Sequence, residues 1–261
     1  MDMILSEAIR IVKLAGAEIK KIREAKSFDE SIKDGYELVT TADLVSNEII
    51  KSEIARLFHN HKIISEEDNI CVDQSLQNPT WIIDPIDGTV GYANNHYQVA
   101  ISIAYADNYQ VKHGVVYNPF LDELFYASCD TGAFLNGEKI NVKKVSGLQS
   151  CVIGTGFPHK RDDIHEIMNR LELVLKNVRD IRRLGSPALD ICWVACGRMQ
   201  GFYEETLHPW DVAAAKLIAT ESGAYVGYYK ETDYTIPECI NGNSIFISSP
   251  DVSNELKRLL R

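Results

Sequence analysis

The residues with the clearest chemical potential lie in Trp81-Ile82-Ile83-Asp84-Pro85-Ile86-Asp87-Gly88-Thr89. An apolar run of strand character leads into two carboxylates three residues apart. On an uninterrupted strand, positions i and i+3 face opposite sides of the sheet. Pro85 removes a ladder donor and is expected to end the strand, and Gly88 permits a tight turn that would bring Asp84 and Asp87 together. Two carboxylates pressed together repel unless a cation or proton sits between them. Their hard oxygens suit Mg²⁺. A helix starting after Gly88 would offer the amides of Gly88 and Thr89 to an anion. A D-x-x-D pair taken alone reads first as two solvated loop residues. Here the apolar lead-in and the Pro and Gly of the turn favour a site.

Two further acidic points sit at comparable places. Ile63-Ile64-Ser65-Glu66-Glu67-Asp68 puts carboxylates at the end of a short strand, where a solvated turn is the alternative. His208-Pro209-Trp210-Asp211 puts Asp211 in the first turn of a helix, where a simple N-terminal cap is the alternative. Glu204 follows the aromatic pair Phe202-Tyr203.

The elements that must position these groups are legible from periodicity. Residues 4–25 carry Ile4, Ala8, Ile11, Val12, Ala15, Ile19 and Ile22 at three- and four-residue steps, which predicts an amphipathic helix. Residues 42–59 repeat the pattern through Leu44, Val45, Ile49, Ile50, Ile54, Leu57 and Phe58, with Thr40 and Thr41 placed to cap it. Short apolar runs then predict strands at 62–65, 81–84, 99–106, 111–117 and 123–128, with turns at Asp107-Asn108 and Asn136-Gly137. Beyond residue 148, strands (150–155, 179–184, 201–204, 224–229, 244–248) alternate with helices (161–177, 187–197, 210–222, 251–260). The expectation is a mixed α+β and α/β chain of two packed lobes, residues 1–147 and 148–261, with the site in the cleft between them.

Taken together, these segments resemble the inositol monophosphatase family, within the Mg²⁺-dependent, lithium-sensitive sugar phosphatases. The run at 81–89 is similar to the family's first signature, and Trp210-Asp211-Val212-Ala213-Ala214-Ala215 with the segment at 221–224 to its second. Leu38-Val39-Thr40-Thr41-Ala42-Asp43, Ile64-Ser65-Glu66-Glu67 and Arg183-Leu184-Gly185-Ser186-Pro187-Ala188-Leu189-Asp190 are similar to three more family segments. The resemblance covers nearly the whole chain and implies a layered α-β-α-β-α sandwich. It implies that Glu66, Asp84, the Ile86 carbonyl, Asp87 and Asp211 hold two or three Mg²⁺. Glu66 and Thr89 would orient the attacking water, with Asp43 buttressing Thr89. Asp87, Gly88, Thr89, Gly185, Ser186 and Glu204 would contact substrate, and Lys33 aligns with a lysine near a third metal. Three positions depart from the pattern. Pro187 replaces an alanine and has no N–H for a substrate hydroxyl, Gly91 replaces an asparagine, and Ser65 replaces a glycine.

The implied activity is hydrolysis of a phosphate monoester, inositol 1-phosphate first. Fructose-1,6-bisphosphate, NADP⁺ and 3′-phosphoadenosine phosphate are alternatives within the superfamily. A non-catalytic regulatory binding protein is the alternative from another class, and the intact metal carboxylates speak against it. The resemblance also implies a homodimer and a small phosphorylated polyol, sugar or nucleotide as ligand.

Composition agrees with these readings. Of 261 residues, 27 are Lys or Arg and 37 are Asp or Glu, a net charge of −10, which argues against a general nucleic-acid binder. The same acidity does not exclude an anionic substrate, because four of those charges are the expected metal ligands Glu66, Asp84, Asp87 and Asp211. The start of the chain has no basic region followed by an apolar stretch, and no run is long enough for a membrane span, so neither a signal peptide nor a membrane is expected. The six cysteines, Cys71, Cys129, Cys151, Cys192, Cys196 and Cys239, form no framework and predict free thiols in a reducing cytoplasm. His59 and His61 are expected to be solvated in a loop.

Overall fold

The structure is a computed structural model, and it describes residues 2–33, 37–68, 76–158, 164–231 and 235–261. Two helices open the chain, α1 (Met3–Glu24) and α2 (Thr41–Leu57), separated by a hairpin of β1 (Glu30–Lys33) and β2 (Glu37–Thr40). A seven-stranded sheet follows: β3 (Lys62–Ser65), β4 (Thr80–Asp87), β5 (Ala100–Asp107), β6 (Gln110–Asn118), β7 (Glu123–Ser128), β8 (Gly132–Leu135) and β9 (Glu138–Ile140), in sequence order. Only the β3–β4 pair is parallel. The short helix α3 (Thr89–Ala93) leaves the end of β4.

The second sheet has the order β11-β10-β12-β14-β13. It comprises β10 (Val152–Thr155), β11 (Asp180–Arg182), β12 (Gly201–Glu204), β13 (Tyr225–Tyr228) and β14 (Ile245–Ser248), joined through α4 (Ile164–Asn177), α5 (Pro187–Ala195) and α6 (Pro209–Glu221). Helix α7 (Ser253–Leu260) ends the fold.

The layering follows from which faces are apolar. Helices α1 and α2 cover one face of the seven-stranded sheet, with Ile11, Ile19, Ile50 and Ile54 packed on Trp81, Ile83 and Ile101. Its other face meets α5 and α6, which are apolar on nearly all sides because they also meet the second sheet. Helices α4 and α7 pack together on the far side. The result is a five-layer α-β-α-β-α sandwich. No helix among the described residues is long and apolar enough to cross a membrane.

Most elements fall where periodicity predicts them, and the differences have physical reasons. Leu44 and Val45 are exposed, at 52% and 38%, although the apolar pattern assigns them to the buried face of α2. Asp43 and Ser46 occupy the buried stripe instead, in line with Ile50 and Ile54. The hairpin β1–β2 and the strands β8 and β9 lack a clear alternation and go unpredicted. His61 is not a solvated loop residue. Its Nδ1 accepts from Trp81 Nε1 at 3.1 Å and its ring stacks on Phe58. Among the described cysteines all are free, with Cys151 and Cys192 buried, while Cys71 lies outside the described residues.

Candidate active site

Pro85 does not end its strand. The ladder pairs Asp84 with Ser102 and resumes at Asp87 with Ala100, so three steps on β4 match two on β5. This is a β-bulge, with one extra residue on the bulged strand. Its effect is to change facing. Trp81, Ile83 and Ile86 all enter the core under α1 and α2, whereas Ile82 enters the core under α5 and α6. Asp84 and Asp87 therefore share the α5/α6 face, which an unbroken strand would deny them.

On that face they meet Asp211 from the first turn of α6. Oxygens of Asp84, Asp87 and Asp211 lie within 4.8 Å of one another. Helix α6 is held at its start by Ser102 Oγ, which donates to the Trp210 carbonyl at 3.2 Å. Asp211 also does the capping work that the sequence offers as its alternative role, since the His208 amide donates to its Oδ2 at 2.7 Å. Glu66, at the end of the parallel strand β3, completes the group, and its carboxyl and that of Asp84 act on each other closely enough to share a proton.

The electrostatics are those of carboxylates short of positive charge. Burial, and then the neighbouring carboxylates, push Glu66 and Asp84 well above the usual range. Burial raises Asp87 to about 7 against the hydrogen bonds it accepts. Asp211 is raised to about 8 by burial and then by the charge of Asp87. Among the described residues no ion pair reaches Asp84, Asp87 or Asp211. A hard-oxygen donor set, buried at Asp84 and Asp87, half-buried at Glu66 and Asp211 and without a cationic side chain of its own, fits a divalent cation such as Mg²⁺.

Beside this group stands Thr89, the first residue of α3. Its Oγ1 is 3.0 Å from Asp43 Oδ1 and 3.1 Å from the Ile86 carbonyl oxygen. Asp43 is fixed by the capping box of α2, where its Oδ2 accepts from both the amide (2.8 Å) and the hydroxyl (2.5 Å) of Thr40. Burial raises Asp43 to about 6 against the hydrogen bonds from Thr40 and Thr89. Gly88 is left-handed at φ +95°, and a Cβ there would lie 3.0 Å from the Gly185 carbonyl.

The loop 185–188 reaches the same point from the second sheet. Ser186 Oγ donates to Asp87 Oδ2 at 2.6 Å, and the Ala188 amide donates to the same oxygen at 2.8 Å. The Ser186 proton is thus committed to Asp87, and only its lone pairs face elsewhere. Pro187 opens α5 at a position where the absent N–H costs the helix nothing. Glu204 is buried at the end of β12 and lies against Gly156, where an added Cβ would meet its carboxylate at 2.0–2.1 Å. Its acid is raised by burial and by Asp211 and Asp190, and lowered by Arg183.

The other two departures, and Lys33, also find their places. The Ser65 hydroxyl donates to Asn47 Oδ1 at 2.8 Å, tying β3 to α2. Gly91 has ordinary room for a Cβ. Lys33 donates to the Glu66 carbonyl at 2.5 Å and lies 3.4 Å from Glu67 Oε2, so it leans on the main chain of a metal-site residue. Sequence spacing alone missed Ser46, a buried hydroxyl in an apolar stripe; that mismatch is the signal that marks it.

A sequence profile described as the inositol monophosphatase family matches residues 1–259. An inositol monophosphatase of Dictyostelium discoideum is 35% identical over all of this chain and 96% of its own length. The Nus factor SuhB of Vibrio cholerae is 36% identical, over 96% of this chain and 92% of its own. Inositol monophosphatase II of Staphylococcus aureus, solved with inositol monophosphate and with 2′AMP bound, is 24–25% identical. Its inositol monophosphate complex superposes with a TM-score of 0.80, covering 97% of this chain and 92% of that one.

Proposed function

The chain belongs to the inositol monophosphatase family, and from that premise we propose that it is a Mg²⁺-dependent phosphate monoester hydrolase acting on inositol monophosphate. The observation that carries the proposal is the convergence of Asp84, Asp87 and Asp211 within 4.8 Å, beside a Thr89 hydroxyl already held by a carboxylate.

Asp84, Asp87, Asp211, Glu66 and the Ile86 carbonyl are the groups that would hold Mg²⁺. Bound there, the metal supplies a more acidic water and positive charge for the phosphate oxygens. The rest of the chemistry falls to the chain. Asp43 Oδ1 takes the Thr89 hydroxyl proton into a hydrogen bond, which leaves the lone pairs of Thr89 Oγ1 to accept from the attacking water. The Glu66 carboxylate accepts the other water proton and so directs the oxygen at phosphorus. The amides of Gly88 and Thr89, at the start of α3, donate to the phosphate. Glu204 accepts hydroxyls of the leaving alcohol, and Gly185 with Ser186 closes the wall beside it. Ser186 and the Ala188 amide keep Asp87 oriented. The S. aureus structures with inositol monophosphate and 2′AMP support the wider class of phosphorylated polyols and nucleotides.

The test is Asp84→Asn, purified and shown to be folded by circular dichroism. Phosphate release from inositol 1-phosphate, fructose-1,6-bisphosphate, NADP⁺ and 3′-phosphoadenosine phosphate is measured with Mg²⁺. We expect the natural chain to favour inositol 1-phosphate and the variant to lose about 10³-fold or more of its turnover. Near-normal Mg²⁺-dependent turnover in the folded variant would refute the assignment.

A further inference from the structure

The bulge in β4 takes two residues out of the register of the sheet. Pro85 and Ile86 lie between the ladder positions Asp84 and Asp87 and face the single residue Ile101 on β5, so they have no residue-for-residue partner there. Both residues are buried, and a buried main-chain group without a partner is costly. Pro85 has no N–H. The Ile86 amide donates to Asp84 Oδ1 at 3.0 Å, and the Ile86 carbonyl lies 3.1 Å from Thr89 Oγ1 and is one of the groups that would hold Mg²⁺. The remaining group is the Pro85 carbonyl, and it accepts from Ser46 Oγ on α2 at 2.9 Å. Asp84 and Thr89 belong to the site already described, so Ser46 is the support of the bulge that comes from outside it.

Ser46 is fully buried, at 0% exposure. It belongs to a face of α2 formed by Asp43, Ser46 and Asn47, at i, i+3 and i+4. Asp43 meets Thr89, Ser46 meets Pro85 and Asn47 meets Ser65. One helix face therefore touches the start of α3, the bulge of β4 and the end of β3. These three segments carry Thr89, the pair Asp84 and Asp87, and Glu66.

We propose that Ser46 is a positioning residue for the metal centre. By fixing the Pro85 carbonyl it sets the rotation of the Pro85–Ile86 segment, and with it the separation of Asp84 and Asp87 and the aim of the Ile86 carbonyl. The inference rests on the phosphatase reading above, and its test is chosen to fail separately from it.

Mg²⁺ is titrated calorimetrically into the metal-free natural chain, Ser46→Ala, Ser46→Cys and Ser253→Ala, with thermal unfolding recorded for each. Ser253 is a matched control, a buried serine on α7 whose hydroxyl donates to the Pro250 carbonyl at 3.0 Å, away from the site. Ser46→Ala should weaken Mg²⁺ binding on the order of tenfold. Ser46→Cys, with a weaker donor of similar shape, should fall between it and the natural chain. Ser253→Ala should lower the unfolding temperature while leaving Mg²⁺ affinity unchanged, which separates positioning from general stability. Mg²⁺ affinity within about twofold of the natural chain in Ser46→Ala overturns the inference alone. If Ser46→Ala does not fold, Ser46→Cys is judged by the same criterion. A natural chain that binds no Mg²⁺ overturns the phosphatase reading, and this inference with it.

Discussion

Without metal, the protein should lose stability as pH rises through neutrality, and Mg²⁺ should remove that loss. The cause is the set of buried carboxyls. Asp87 is raised to about 7 and Asp211 to about 8, chiefly by burial, whereas an unfolded aspartate titrates at about 3.9. Between those values the folded chain holds protons that the unfolded chain has released. Stability then falls with rising pH, by about 1.4 kcal/mol per pH unit for each proton held. The stabilising contribution is complete below the unfolded value and is lost as pH climbs through 7 and 8. A chain of 261 residues unfolds with an entropy of about 0.55 kcal/mol/K, so each proton lowers Tm by about 2–3 °C per pH unit. Differential scanning calorimetry in EDTA, from about pH 5.5 to about pH 7.5, should show this slope at least once over. With excess Mg²⁺ the carboxylates are ionised throughout that window and the slope should flatten. The stabilisation by Mg²⁺ should therefore be larger at the alkaline end. A metal-free Tm that rises across the window, or a Mg²⁺ effect equal at both ends, would refute the reasoning.

Three substitutions probe the rest of the site. Thr89→Ala should cost kcat about 10²–10³-fold, while Thr89→Ser keeps the hydroxyl and should stay within about tenfold; equal turnover in Thr89→Ala would remove Thr89 from the mechanism. Gly88→Ala forces a side chain into φ +95° with its Cβ 3.0 Å from the Gly185 carbonyl and 3.1 Å from that of Gln98. Destabilisation of about 2 kcal/mol, or about 4 °C in Tm, is expected, and an unchanged melting curve would show that the two loops yield freely. Pro187→Ala restores an N–H at the first position of α5. It should lower KM for inositol 1-phosphate by about two- to tenfold with little change in kcat, and a KM unmoved for every substrate in the panel would show that this position does not face the alcohol.

What sequence could and could not reveal divides along the range of the interaction. The Asp84–Thr89 segment is legible because its strand, proline, glycine and helix start are neighbours in the chain. Even there, Pro85 is read as a strand end, because the resumption of pairing at Ala100 depends on a distant partner. Asp43 and Glu204 have weaker local signals, a helix start behind Thr40 and Thr41 and the end of an aromatic run. One acts across 46 residues on Thr89 and the other packs on Gly156, so only the family resemblance assigns them roles. Leu44 and Val45 show the limit of apolar patterning. The helix turns Asp43 and Ser46 inward because the bulge and Thr89 offer them hydrogen bonds, and the two larger apolar residues are left outside. Hairpin β1–β2 escapes notice because it is a short two-stranded ribbon outside the main sheets, with β1 almost wholly exposed and β2 half-buried along its length, so no alternation is imposed.

The bulge also determines which changes the chain can absorb. Three steps on β4 already match two on β5, so removing one residue between Asp84 and Asp87 would restore an even ladder with both carboxylates still on the α5/α6 face. What such a shortening would take away is main chain that the extra residue turns out of register, the region whose Pro85 carbonyl meets Ser46. The length of this segment is therefore tied to its carbonyls rather than to the facing of its acids. A variant that conserves every acidic residue but is one residue shorter here would keep the composition of the site and lose a main-chain oxygen from it.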